Sequence, residues 1–460
     1  MFAGATNLTQ RLKLLPDEQP AMTESNETPA GKKRFARNVF WNLLGTGLPM
    51  LVAVVAVPAL VHGMGAARFG VLSLAWMVVG YFSLFDLGLG RAMTQLVAQK
   101  LGRGEEAQIP SLVWAAMALM GALGLLGALT ISGVAPLLVG RVLKIPPDLR
   151  AETLAAFYLL ALSIPVVIGT TGLRGILEAH QRFGIVNLVR VPLGLITYLG
   201  PLAVLPFSHS LPAMVLVLVL ARIVSFVVYL GICLNLFPEL RRRKPVESTV
   251  LRQLLSYGGW MTLSNVAAPL LLYLGRIVVA AMISAEAVAY FSTPYDVVIN
   301  LLVIPTVFLS VLFPTFAKQF QTESAAVGRL YRRSLLQVGL LLLLPVLLIC
   351  LFAREGLAWW INEEFSRNGF RVAQMLAIGV FINSFGHISQ AVIQAYGRPD
   401  LTAKLHVAEL VAYVPYMWWL IAGYGIEGAA AAWVIRVTIS TIVLGVLARS
   451  CIAGAVGKRY

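Results

Sequence analysis

The chain has 460 residues, 58% of them hydrophobic and only 12% charged, with a formal net charge of +15 and a mean hydropathy of +0.81. A soluble domain is closer to a quarter charged, so a water-soluble enzyme or binding module is excluded and the chain is expected to cross a membrane many times. Cys233, Cys350 and Cys451 are widely spaced, and the five histidines show no metal-ligand spacing, so no disulfide framework, metal, cofactor or nucleic-acid partner is expected.

Residues 1–37 are polar and end in Lys32, Lys33, Arg34 and Arg37, with no apolar core or small-residue cleavage site. They read as a disordered basic cytoplasmic tail and not as a signal peptide. Each crossing needs about 20 apolar residues to span about 30 Å of hydrocarbon. On that measure twelve spans begin near residues 38, 70, 109, 151, 184, 211, 251, 287, 330, 371, 402 and 427. The expected fold is therefore an all-α polytopic membrane protein. A six-helix bundle over 38–237 and another over 251–455 flank a basic cytoplasmic linker, 238–250, that begins "PELRRRKP". The longest outer connection is expected at 354–370, "REGLAWWINEEFSRNGF", too short for a catalytic domain, and its Glu355, Glu363 and Glu364 read as solvated charges.

Of 36 Lys and Arg residues, 23 fall in one set of alternating loops and 7 in the other. The positive-inside rule makes the first set cytoplasmic, and both termini with it. "ILEAHQR" (176–182) recurs as "VIQAYGR" (392–398), and Pro49–Gln99 lies more weakly over Pro269–Gln319. Halves with an even number of spans start on the same side, which makes them parallel repeats enclosing a central cavity and suited to alternating access.

The remaining six basic residues lie inside spans, and all are arginine: Arg91, Arg174, Arg190, Arg222, Arg276 and Arg436. Opposite them stand Asp86, Glu178, Asp296 and Glu409. Arg174 and Glu178 are spaced to pair on one helix face, which leaves arginine in excess. A charge at the bilayer centre costs roughly 3 kcal/mol or more, so these residues mark function. Arg91, Arg222, Arg276 and Arg436 are read as a ladder along the cavity, with Arg174 a further substrate-binding candidate; Arg174 and Arg190 are also close enough to the cytoplasmic ends to snorkel. Asp86 and Arg91 lie about 140° apart on a regular helix, so Asp86 is read as pairing with a neighbouring helix while Arg91 meets the substrate.

Residues 41–105 closely resemble the opening two helices of the polysaccharide flippases. These are the Wzx-type branch of the superfamily that also holds multidrug extruders and the lipid II flippase. The features that carry the resemblance are a first helix after a basic tail, Arg68-Phe69-Gly70 closing the outer loop, and Asp86-Leu87-Gly88-Leu89-Gly90 followed by Arg91. The lipid II branch usually has fourteen helices, two more than are read here.

The resemblance implies translocation of an undecaprenyl-diphosphate-linked oligosaccharide from the cytoplasmic to the periplasmic leaflet of a bacterial inner membrane, with polysaccharide polymerase machinery as a partner. Arginine suits such a substrate because its planar fork grips phosphate oxygens and stays charged when dry. Asp86, Asp296 and Glu409 are candidate sites for a coupling proton or sodium ion, or else counter-ions to the arginines, and His387 is a candidate proton carrier or else a satisfied packing histidine. Tyr81, Phe85, Tyr273, Tyr295 and Tyr413 are candidate sugar-stacking rings, and Trp418 and Trp419 belt residues. Two rivals remain open: a multidrug exporter, which the excess of arginine disfavours, and a membrane-embedded glycan polymerase or ligase, which the short outer connections disfavour.

Overall fold

The computed structural model describes residues 29–84, 89–241, 271, 273–322 and 324–457. The N-terminal tail up to residue 28, residues 242–250 of the linker, most of the seventh span, Phe85 and Asp86 lie outside the described residues, as do the side chains of Tyr81 and Arg91. Every described element is helical. Helices α1 (Pro29–Leu84), α2 (Leu89–Gly102), α3 (Ile109–Leu137), α4 (Arg150–Ala179), α5 (Phe183–Val204) and α6 (Leu211–Leu236) form the first half. The second half contains α7 (Tyr273–Met282), α8 (Ala285–Ile299), α9 (Val303–Thr322), α10 (Ser324–Trp360), α11 (Glu363–Ala395) and α12 (Pro399–Gly457).

Two of these helices are too long to be single crossings. At about 1.5 Å per residue, the 56 residues of α1 and the 59 of α12 would each reach more than twice across the bilayer core. Each instead reverses at one glycine with positive φ, Gly65 (81°) and Gly425 (58°), a region closed to most side chains. The reversal in α12 brings the Tyr416 hydroxyl to 3.4 Å from the Ala432 carbonyl oxygen, which it donates to. In α1 it brings Val57 and Trp76 to the walls of one cavity. Nine helices among the described residues are long and apolar enough to cross a membrane. Separating the arms of α1 and α12, and adding α7 as the described end of the seventh span, gives the twelve expected passes.

The internal repeat is visible in the backbone. α4 ends with Arg182 N donating to Leu177 O at 2.8 Å around Gln181, whose φ is 56°. α11 ends with Arg398 N donating to Ile393 O at 3.1 Å around Gly397, whose φ is 90°. This is the same left-handed cap at the same place in "ILEAHQR" and "VIQAYGR". α4 is the hub of its half, packed on α3, α6 and α2, and α11 is the hub of the other, packed on α10, α12 and α8.

The expected outer connection at 354–370 is a correction. α10 runs to Trp360 and α11 starts at Glu363, leaving two residues between them. Asn362 caps α11 by accepting from Phe365 N at 2.7 Å, and Glu363 and Glu364 occupy the first turn, where the helix dipole favours acids.

The halves are joined at the end opposite the basic loops. After a π-helical turn at Leu138–Val142, the chain inserts Lys144 into the α7–α8 turn. Lys144 N donates to Ala280 O at 2.9 Å, Ala285 N donates to Lys144 O at 3.3 Å, and the Lys144 ammonium donates to Met282 O. Gly70 lies directly against the backbone of Ala285, and the Trp360 indole donates to Val54 O at 2.6 Å.

Candidate functional site

Beneath this closure a cavity of about 370 Å³ lies between the halves. From the first half α1 contributes Val54, Phe69 and Trp76, and α5 contributes Arg190, Gly194, Thr197 and Tyr198. From the second, α8 contributes Thr293, Asp296 and Val297, followed by Asn300 one residue beyond its end. On both helices the spacing repeats at three and four residues, so one face of each looks inward.

Arg190 is exposed to the cavity. Asp296 presents a half-exposed carboxylate and is held from behind by Arg276 of α7, whose guanidinium is almost fully buried and donates to it. The same guanidinium lies over the rings of Tyr295 at 5.2 Å and Tyr273 at 5.9 Å, and its Nε has no partner among the described residues. An arginine with an aromatic face, one acid and a spare donor can exchange that acid for another anion, because each contact is separately replaceable. Trp76 stacks edge-on to Tyr198 at 5.2 Å and to Phe69 at 5.8 Å, giving one wall an aromatic surface with polar edges.

A second pair is buried in the second half, between the two arms of α12. Arg436 donates to Glu409 at 3.3 Å, and His406 lies 3.4 Å from the same oxygen. The Arg436 guanidinium rests over Tyr413 at 5.5 Å, while Arg436 Nε finds no partner among the described residues. Tyr295 meets Trp433 at 6.0 Å and so links the two pairs.

The structure does not gather the expected ladder into one wall. Arg276 and Arg436 are each matched by an acid 20 and 27 residues away in sequence, spacings that no within-helix rule reveals. Arg222 donates to Leu218 O of its own helix at 3.1 Å, and Arg174 pairs with Glu178 at 3.1 Å; neither lines the cavity. Arg91 sits in the first turn of α2. Arg190, read from the sequence as snorkelling, is the arginine that does line the cavity. Tyr295 and Tyr413 are buried beneath arginines and are not free to stack on a sugar. The rings that face the cavity are Phe69, Trp76, Tyr198 and Trp360.

The family described as "Polysaccharide biosynthesis protein" matches residues 35–320. A curated Shigella flexneri protein named "Putative O-antigen transporter" is 31% identical over 411 residues, covering 89% of this chain and 96% of that protein. Among solved structures, an inward-facing multidrug resistance MATE family transporter of the MOP superfamily superposes with a TM-score of 0.77 at 15% identity, covering 90% of this chain and 98% of its own. The outward-facing conformation of such a transporter gives 0.65 at 16% identity, with 92% and 96% covered. A MOP superfamily transporter from Pyrococcus furiosus, reported with a reversed polarity of its binding pocket, gives 0.64 at 16% identity over the same shares.

Proposed function

The chain belongs to the polysaccharide biosynthesis protein family, in its Wzx-type flippase branch, and from that premise we propose that it carries an undecaprenyl-diphosphate-linked oligosaccharide across the bacterial inner membrane by alternating access. The observation that carries this reading is the cavity between the halves, which sets an exposed arginine, an exchangeable ion pair and an aromatic wall within one enclosure. A diphosphate sugar cannot cross hydrocarbon unaided, because its charges lose hydration without replacement. Arg190 offers the first replacement. Arg276 offers the second once Asp296 lets go of it, and Asn300, Thr197 and the edges of Trp76 and Tyr198 suit the sugar. The polyprenyl chain stays in lipid beside the halves.

Asp296 and Glu409 each neutralise one arginine, so they are the acids on which a coupling proton or sodium ion would act. An ion on the carboxylate releases the guanidinium for phosphate. Both termini lie in the cytoplasm by the charge asymmetry of the loops, and the protein acts as a carrier and not as an enzyme, upstream of polysaccharide polymerase machinery.

The experiment is a thermal-shift measurement on the detergent-purified protein with an undecaprenyl-diphosphate glycan, the bare lipid phosphate, and a lipophilic cation. A ligand that binds only the folded state stabilises it by mass action, by about 2.7 kcal/mol at 100 times its Kd. Stabilisation by the glycan diphosphate that disappears in Arg190→Ala supports the reading. Stabilisation by the cation alone, lost in Asp296→Asn, assigns the cavity to cationic drugs and overturns it.

A further inference from the structure

A second concavity of about 580 Å³ lies on the back of the C-terminal half, between α10, α11 and the second arm of α12. It shares no lining residue with the cavity between the halves. Leu336, Leu340, Ile442 and Val446 form its rims and stand well exposed. Its floor is lowered by two glycines. Gly339 allows the Phe385 ring to approach, and an added Cβ at Gly445 would meet nothing within 4 Å.

Charge is confined to one end. Arg449 lines the groove where α12 approaches the basic face of the protein, is exposed, and has no acidic partner among the described residues. Arg332, exposed, continues the stripe of Leu336, Gly339 and Leu343 on α10 in the same direction. From Tyr331 to Leu343 the groove follows α10 for twelve residues, about 18 Å at the helical rise. That is close to the thickness of one leaflet, half of about 30 Å.

We infer that this groove binds one anionic phospholipid of the leaflet on the basic side, with its phosphate on Arg449 and a chain laid along α10 over Gly445. Three features select that occupant. The walls are apolar over about 18 Å, the one charged residue in the lining, Arg449, stands at the end nearest the basic face, and the groove ends about one leaflet's thickness from it. A polyprenyl chain tethered to a sugar in the central cavity would need a path between the two concavities, and they have no wall in common. The site therefore tunes a transporter by the charge of its surrounding lipid and does not hold its cargo.

The test is native mass spectrometry of the full chain, delipidated in neutral detergent and titrated separately with phosphatidylglycerol, phosphatidylcholine and undecaprenyl phosphate. Phosphatidylglycerol should be retained in preference to phosphatidylcholine. That preference should fall about five-fold in Arg449→Ala, the factor equivalent to roughly 1 kcal/mol per basic residue at an anionic surface. Arg449→Lys should keep it, and Gly445→Leu, whose Cβ enters open space and whose side chain fills the groove, should abolish it while the protein still elutes as a single species. Equal retention of the two phospholipids, or a preference unchanged in both Arg449→Ala and Gly445→Leu, overturns the inference. Stronger retention of undecaprenyl phosphate that is lost in Gly445→Leu overturns the occupant and gives the groove to the cargo lipid.

Discussion

The contact of Gly70 with Ala285 yields the sharpest prediction. A Cβ added at Gly70 would sit 1.7 Å from the Ala285 carbonyl oxygen and 2.7 Å from its carbon, whereas ordinary contact begins at 3.4 Å. The obstacle is backbone, so no side chain can turn away to relieve it. Gly70→Ala should therefore cost about 1–3 kcal/mol, the usual range for overpacking, and only while the halves are closed at that end. If opening removes the clash, the closed population falls by a factor of roughly five to 150 relative to the open one. Gly428→Ala is the control. Its Cβ would meet the Leu420 oxygen at 2.1 Å, but both residues belong to the α12 hairpin, so the cost falls equally on every state. The assay is a spin-label distance between Gly140→Cys and Gly423→Cys, both exposed sites on opposite halves, with Cys233, Cys350 and Cys451 replaced. Gly70→Ala should add a longer distance, and Gly428→Ala should lower the melting temperature without one. An unchanged distance distribution in Gly70→Ala would refute the idea that this contact holds the closed state.

Other consequences follow from single contacts. Removing either partner of the Arg276–Asp296 pair leaves the other charge unmatched, so Arg276→Gln and Asp296→Asn should each lower stability, Asp296→Asn by the larger amount, toward about 3–5 kcal/mol, because it strands the buried guanidinium while Arg276→Gln leaves a half-exposed carboxylate. The double variant should cost less than the sum in a melting experiment. Arg190 is exposed and pairs with no acid among the described residues, so Arg190→Ala should change stability by no more than about 0.5 kcal/mol while removing glycan-diphosphate binding. His180 follows α4 outside the spans, stacked 4.1 Å from Phe237. Burial holds its pKa below the usual 6.5, with Arg182 acting in the same sense against the Ile176 carbonyl. The folded state prefers the neutral ring, so its contribution is complete above about pH 6.5 and is lost as the pH falls below that value. His180→Gln should flatten the acid limb of the melting profile. Gln181→Gly should raise stability by about 1 kcal/mol, since a left-handed residue with a Cβ carries about that strain; no change on melting would mean that the Gln181 side chain compensates.

The helical crossings and their repeat were legible because the bilayer forces them. A segment that must satisfy its own backbone in hydrocarbon becomes a helix of fixed length. The site was less legible because its key relations cross helices. Arg276 meets Asp296, and Arg436 meets Glu409, only after two spans have folded side by side, and the spacing of 20 or 27 residues has no periodic meaning. Arg190 did carry a signal. With Gly194 and Thr197 it forms an i, i+4, i+7 stripe of polar or small residues on an otherwise apolar helix, and Thr293, Asp296, Val297 and Asn300 repeat the pattern opposite. Facing direction, and not depth along the helix, decides which side chain enters a cavity. The supposed outer connection failed for a similar reason. Asn362-Glu363-Glu364 is charged because it starts a helix and not because it is a loop.

The reversals at Gly65 and Gly425 constrain how such a molecule can move. A turn made by one residue leaves no slack chain, and in α12 the Arg436–Glu409 pair ties the two arms together well away from the turn. The hairpin then behaves as a beam and not as two strings. When one of its ends swings away from the other half, the far end must swing inward about whatever point between them stays fixed. Opening on one face and closing on the other would then be one displacement.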